Sequence, residues 1–413
     1  MKRVDVVVLG GGLVGCAAAY YLARAGASVQ LLDRADINRE ASGRNAGSLH
    51  FQLEYRLVRY GDAQAAQFAQ IIPLSLVAME DWRGLEGQLQ ADLEVGMHGG
   101  LIVAESPADV ERLEKRQALH VRCGLATQLL AKREVHALAP YLSDTVIAAS
   151  YFADEGHANP RLVTPAFARS AAALGAVIES YTRATSLVRD GRDWRVTAVS
   201  RDGGTHEIAA RAVLNAAGAW AADVAALAHL HLPIYAIPLT MNVIERCAPL
   251  IPHLVQHASE RLTVKQVAAG NVLVGGGWPS RFPRQGAKHS LRLDCPRTCA
   301  AQTMETHGTP EPVISNILEN LMLATRLIPT LGQLHLLRSW TGTTGVTADQ
   351  MPLLGEAPEA PGFYVAAGGA AFTHGPTYAR LISELILEGR TSAAIDLYSP
   401  ARFSHVNGFM ASV

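Results

Sequence analysis

Gly10, Gly12 and Gly15 are spaced as G-x-G-x-x-G, and an acid, Asp33, stands 23 residues after the first of them. Glycines at that spacing let a backbone turn tightly, approach a pyrophosphate and pack a helix close against a strand. The helix N-terminus then faces the phosphate charge. An acid at that distance accepts hydrogen bonds from ribose hydroxyls. The chemistry these residues point to is dinucleotide binding. Elements to position them are legible on either side. Val4–Leu9, apolar apart from Asp5, reads as a buried strand. Cys16–Ala25 reads as a small-residue helix ended by Gly26, and Val29–Leu32 reads as a second strand closed by Asp33.

Three further stretches bear on which dinucleotide. The run Ser42-Gly43-Arg44-Asn45-Ala46-Gly47-Ser48 is rich in small residues, so backbone N–H groups can line a polar surface there. Ala212–Ala217 reads as a strand that ends in Gly218 and leads into a helix over Ala219–Leu230. Gly362–Ala367 reads as another strand, followed by a loop from Gly368 to Gly375 and a helix over Pro376–Leu387, with Pro376 suited to its first turn. That loop aims a second helix N-terminus at a ligand, which an NAD site alone does not need.

With these motifs in place the chain resembles the D-amino acid oxidase superfamily of FAD-dependent oxidoreductases. The glycine fingerprint with Asp33 carries the resemblance, together with Ser42–Ser48, Leu214-Asn-Ala-Ala-Gly-Ala-Trp220, Arg338-Ser-Trp-Thr-Gly342, Pro352-Leu-Leu-Gly355 and the final strand, loop and helix. Ser42–His50 is most similar to the β subunits of opine oxidase, D-hydroxyproline dehydrogenase and hydrogen cyanide synthase complexes. The resemblance implies an α/β chain, α+β overall, in which a Rossmann-like FAD-binding domain is interleaved with a mixed-sheet substrate-binding domain. Residues 1–85, 141–232 and 334–413 are expected in the first, and 86–140 and 233–333 in the second. It implies FAD contacts from Gly10, Gly12, Gly15, Asp33, Arg34, Ser42, Arg44, Asn45, Ala46, Gly47, Ser48, Leu49, Val188, Ala217, Gly218, Trp220, Gly342, Gly369, Phe372, Thr373, His374 and Gly375.

The implied reaction is oxidation of the C–N bond of an amino acid or an N-substituted amino acid such as an opine, by hydride transfer to flavin N5. His50, Trp340 and Thr341 are the catalytic candidates. Each has a plainer alternative: a satisfied structural histidine for His50, core packing for Trp340. His374 stands either as a donor to the flavin's N1–C2=O edge or as a loop histidine bonded to backbone. Non-covalent FAD is expected, because Thr343-Thr344-Gly345 follows Gly342 with no Cys beside it. A substrate carboxylate would want a bidentate Arg, and Arg246, Arg281 and Arg338 are available. The finer resemblance implies partner subunits carrying a further flavin (FMN at a subunit interface) and an iron–sulfur centre, with electrons leaving through a partner or a quinone. A homo-oligomer, a self-contained oxidase using oxygen, and a non-catalytic flavin-binding subunit are the alternatives.

Composition fits an enzyme with two cores. The chain has 413 residues and a net charge of −1, so nothing points to nucleic acid. Five scattered Cys make neither a disulfide framework nor a clustered iron–sulfur site. Cys295, Cys299, His289 and His307, within Gly286–Val313, match no strong metal spacing, and no metal is expected. No apolar run reaches ~18 residues, so no membrane span is expected. Met1-Lys-Arg leads straight into the first strand, which leaves no room for a signal peptide. The expected location is cytoplasmic, or peripheral to the inner membrane.

Overall fold

The structure is a computed structural model and describes residues 1–282 and 309–411. The Cys295–Cys299 segment with His289 and His307 lies outside the described residues. Strand β1 (Lys2–Leu9), helix α1 (Leu13–Arg24) and strand β2 (Val29–Leu32) form a parallel βαβ unit. β1 is flanked by β2 on one side and by Thr205–Asn215 on the other, which is why Val6–Leu9 are buried on both faces. Every residue of α1 from Leu13 to Ala23 is buried. Its small residues Cys16–Ala19 let it pack between the helices Pro160–Ala173 and Gly375–Glu388.

The first sheet runs Leu353–Glu356, Phe363–Ala367, Thr205–Asn215, β1, β2, Val177–Glu179. The strands Thr182–Asp190 and Asp193–Ser200 join it as antiparallel additions, with the chain reversing at the Gly-containing stretches 191–192 and 201–204. The second sheet is mixed, as the resemblance implies. Its order is Leu336–Thr347, Ile234–Arg246, Asn271–Gly275, Thr263–Gln266, Leu254–His257, Gly100–Ala104, Ala148–Phe152, Gln128–Ala131, and only the Leu254–His257 and Gly100–Ala104 pair is parallel. Two of its strands, 148–152 and 336–347, fall within ranges that the sequence reading placed with the cofactor sheet. Leu336–Thr347 pairs along its length with Ile234–Arg246, and that ladder draws it to the second sheet. A short ribbon, Ser48–Leu49 against Gly156–His157, lies apart from both sheets.

Local signals and structure agree closely in the helices. Ser106 caps the helix Pro107–Arg122 by accepting from Asp109 N at 3.2 Å. Asn159 caps Pro160–Ala173 by accepting from Arg161 N at 3.0 Å. The helical stretch around Pro73 is broken before it, into Asp62–Ala69 and Ile72–Leu89. Among the described residues no helix is long and apolar enough to cross a membrane.

Burial sets a pH dependence of stability. Desolvation pushes His120 and His157 down to about 3 and His374 to about 4. The unfolded chain therefore takes up these protons first as pH falls below ~6.5. Each histidine removes at most about 1.4 kcal/mol of stability per pH unit over that window. Glu155, pushed up to about 7 by burial, acts in the opposite sense between ~4.3 and about 7, and offsets one of the three. The midpoint of urea unfolding is expected to be lower at about pH 5 than at about pH 7. An equal or higher midpoint in acid would show that these histidines are not held neutral.

Candidate functional site

The turn between β1 and α1 is built by glycine. Gly10 has φ +116°, and a Cβ there would sit 2.6 Å from Ala216 O. A Cβ at Gly15 would sit 1.9 Å from Gly10 O, so helix and turn close on each other only without one. Gly12 is the N-cap of α1 and has no side chain to cover the helix start. Ser42 Oγ accepts from Leu13 N at 2.8 Å, which ties the Ser42–Ser48 run to the same turn.

A cavity of about 810 Å³ opens onto this turn and is lined by residues of both sheets. Gly10, Gly12, Asp33, Arg34, Ser42, Arg44, Asn45, Ala46, Ser48, His50, Ala217, Gly218, Trp220, Gly342, Gly369, Phe372, Thr373 and His374 all line it. Asp33 accepts from Gly11 N at 2.5 Å and Ala35 N at 2.7 Å, while burial raises its carboxyl above the usual value. Two oxygens with about four lone-pair sites leave it room to accept ribose hydroxyls as well. The Arg34 guanidinium lies 4.4 Å over the Trp220 ring. Trp220 Nε1 is buried with no hydrogen-bond partner among the described residues, as is His50 Nδ1. Buried polar atoms of this kind, facing a cavity, fit a polar ligand that would satisfy them. A second helix, Gly375–Glu388, begins directly behind the Gly368–His374 loop. The donor set therefore fits FAD: two helix starts, a ribose acid and an unpaired indole N–H.

Other expected residues fall elsewhere. Val188 is 44% exposed on Thr182–Asp190 and does not line the cavity. The start of that strand, Thr182–Thr185, does, because Thr182 N donates to Asp33 O and brings this end to the site. Gly15, Gly47, Leu49 and Gly375 shape the walls from behind. Leu49, for one, is fully buried opposite Gly156. Trp340 and Thr341 are not in the wall either. Trp340 Nε1 donates to Arg44 O at 2.8 Å and Thr341 Oγ1 donates to Pro310 O at 2.8 Å, so both act in holding Leu336–Thr347 against neighbouring segments. His374 has both ring nitrogens engaged, with Ser75 Oγ at 2.9 Å and Ala370 O at 3.3 Å, and stacks on Tyr378. It takes the backbone-bonded alternative. Asn45 closes its own turn, bonding Ala41 O, Ser42 O and Gly47 N.

The charged groups beside the second sheet are ones that sequence reasoning missed. Glu54 and Arg56 line the cavity together with Leu239, Met241, Thr263, Gly276 and Gly277. They form an ion pair at 2.9 Å, and the guanidinium helps hold the Glu54 carboxyl down at about 2 against burial. None of Arg246, Arg281 and Arg338 lines the cavity, and Arg281 pairs outside it with Glu311. Arg56 stands in the short helix Tyr55–Val58, and no motif in the sequence singles it out. Lys265 is 1% exposed, donates to Ser48 Oγ at 3.1 Å, and is pulled well below its usual pKa by burial.

A model of the family described as DAO, FAD dependent oxidoreductase, matches residues 5–385. Glycine oxidase of Geobacillus kaustophilus is 27% identical over 372 residues, which cover 89% of this chain and 88% of that protein. An opine oxidase subunit of Rhizobium meliloti is 24% identical over 407 residues, 98% of each chain. The crystal structure of glycine oxidase from Geobacillus kaustophilus superposes with a TM-score of 0.80 at 23% identity, over 97% of this chain and 98% of that one. That of L-proline dehydrogenase from P. horikoshii does so with a TM-score of 0.80, also at 23% identity, over 98% and 99%. At these identities the two structures establish the fold.

Asp33→Ala removes the candidate ribose acceptor and its bonds to Gly11 N in the glycine turn and to Ala35 N. FAD affinity is expected to fall about ten- to a hundredfold, the equivalent of roughly 1–3 kcal/mol, with the fold retained. Equilibrium titration of apoprotein with FAD measures it, and an unchanged affinity would mean the ribose acid lies elsewhere.

Proposed function

The chain belongs to the FAD-dependent oxidoreductase family, and from that premise we propose that it oxidises the C–N bond of an amino acid or an N-substituted, opine-like amino acid. One observation carries the reading. A charged pair suited to an amino acid, Glu54 with Arg56, lines the same cavity as the dinucleotide-binding turn. FAD bound there, without a covalent link, supplies the hydride acceptor at its N5. The protein supplies position and field. Arg56 takes the substrate carboxylate as a charge-assisted pair. Leu239 and Met241 strip water from the substrate amine and favour its neutral form. His50, whose pKa burial lowers, stays neutral beside the reacting carbon. The helix start at Gly375 and the N–H groups of the loop before it stabilise the negative charge that develops on the far side of the site.

In this reading the acceptor of the electrons is a companion protein, with FMN at the shared interface, or a quinone, and the protein works in the cytoplasm. The likeness to an opine oxidase subunit supports the companion. A self-contained oxidase passing electrons to oxygen is the second reading, and the relatives named glycine oxidase favour it. Anaerobic mixing with glycine, sarcosine, D- and L-amino acids and opines should bleach the flavin band for at least one of them. A flavin that none reduces would mark a non-catalytic subunit. Oxygen uptake on readmitting air separates the two acceptors.

Two variants test the roles. Arg56→Ala should raise KM about ten- to a hundredfold with FAD content unchanged. His50→Ala should slow flavin reduction in stopped flow while FAD stays bound; an unchanged rate across pH returns His50 to a structural role. Acid precipitation should leave the flavin in the supernatant, and a yellow pellet would contradict non-covalent binding.

A further inference from the structure

The loop from His50 to Leu53 lines the cavity, and each of its four successive backbone N–H groups is held by a side chain from elsewhere in the fold. His50 N donates to Thr373 Oγ1 at 3.2 Å, and Leu53 N donates to His120 Nε2 at 3.0 Å. The middle two go to one residue. Glu155 Oε1 accepts from Phe51 N at 2.8 Å and Gln52 N at 2.7 Å, and Oε2 accepts from Gln52 Nε2 at 2.8 Å. Gln52 Oε1 accepts in turn from Ser150 Oγ at 2.7 Å.

Glu155 has no exposure to solvent, and among the described residues no cation pairs with it. Burying a carboxylate without a counter-ion is costly, and a leucine in the core would avoid that cost. The fold makes room for it all the same. A Cβ at Gly100 would lie 1.9 Å from Glu155 Oε2, so the strand Gly100–Ala104 begins with the one residue that admits the carboxylate. Cost accepted directly behind a cavity wall, with three aligned donors from that wall, marks a group that serves the site.

We infer that Glu155 is a positioning residue for the proposed amine oxidation: its carboxylate fixes the main chain at Phe51 and Gln52 and so sets where His50, Glu54 and Arg56 stand. This rests on the reading of the cavity given above. Around the loop the titratable groups are His50 and Glu54 on the loop itself, His120 on Pro107–Arg122, His157 beside Ser48, and Lys265 on Thr263–Gln266. Burial, reinforced by the Glu54 charge, pushes Glu155 up to about 7, against the pull of its three donors. The ionised form accepts all three N–H bonds. The protonated form turns one acceptor into a donor where only donors face it. The loop is therefore held more firmly as pH rises through about 7.

The test uses FAD-loaded protein, wild type, Glu155→Gln and Gly100→Ala, with acetate as a carboxylate probe read by the flavin absorbance. Hydrogen exchange of the 48–56 peptide, corrected for intrinsic rates, should slow in wild type as pH rises through about 7. In Glu155→Gln it should be about tenfold faster, with peptides of β1 and α1 unchanged. The acetate Kd should rise about tenfold, and its pH dependence near 7 should flatten. Gly100→Ala keeps the carboxylate but displaces it, and should reproduce both effects. Unchanged exchange at 48–56 in Glu155→Gln, or a flat wild-type exchange profile, overturns the assignment. Faster exchange with unchanged acetate affinity overturns it too, since the loop would then be held without consequence for the site. Wild-type protein that binds no acetate and is reduced by no amine refutes the substrate reading instead, and the exchange data still decide whether Glu155 anchors the loop.

Discussion

A helix start with bare N–H groups, left open to a cavity, is the constraint on which the first sheet depends. α1 follows Gly12, which has no side chain to cap it, and of its first N–H groups Ser42 Oγ takes that of Leu13; Gly10 beside it is in a conformation that other residues enter at a cost. An open turn of this kind is stable only if everything around it is fixed. The carboxylate of Asp33 braces Gly11 and Ala35, Ser42 braces Leu13, and the fully buried face of α1 anchors the helix from behind. The first sheet and its helices thus serve as a frame for a small number of unsatisfied backbone groups.

The second sheet meets that frame through Leu336–Thr347. Trp340 donates to the main chain of Arg44, and Arg44 Nη1 donates back to Thr341 O at 3.4 Å. The helical turn Ala41–Arg44 and a strand of the second sheet are therefore joined by reciprocal bonds. This explains why Trp340 and Thr341, the catalytic candidates of the sequence, do not line the cavity: their side chains hold the strand that forms the wall at Gly342 and Thr343.

Legibility in the sequence followed the range of the interactions. The glycine turn after the first strand and the strand closed by Asp33 are local, and the structure carries each where its residues suggested. The mixed sheet also matched the resemblance. What lay out of reach was set by pairing and burial between distant residues. Val188 belongs to the right strand but the wrong end of it, because only Thr182 bonds to Asp33. Arg56 gave no pattern that separated it from an Arg-rich background. Glu155 looked like one acid in a turn, and only the meeting of Phe51, Gln52 and Gly100 around it reveals a buried site.

The strand order of the first sheet has a consequence for how the chain is made. β1, at residues 2–9, has its long partner at Thr205–Asn215, and that strand also pairs with Asp193–Ser200 and, at its end, with Phe363–Ala367. At ~5–20 residues per second of synthesis, the first strand waits roughly 10–40 s before its partner leaves the ribosome. Over that interval β1 can pair with β2 alone, and one edge of an apolar strand stays open. The centre of the sheet is completed only when chain start, middle and end are all present. The first sheet is thus closed by one of the last strands to be made, long after its central strand.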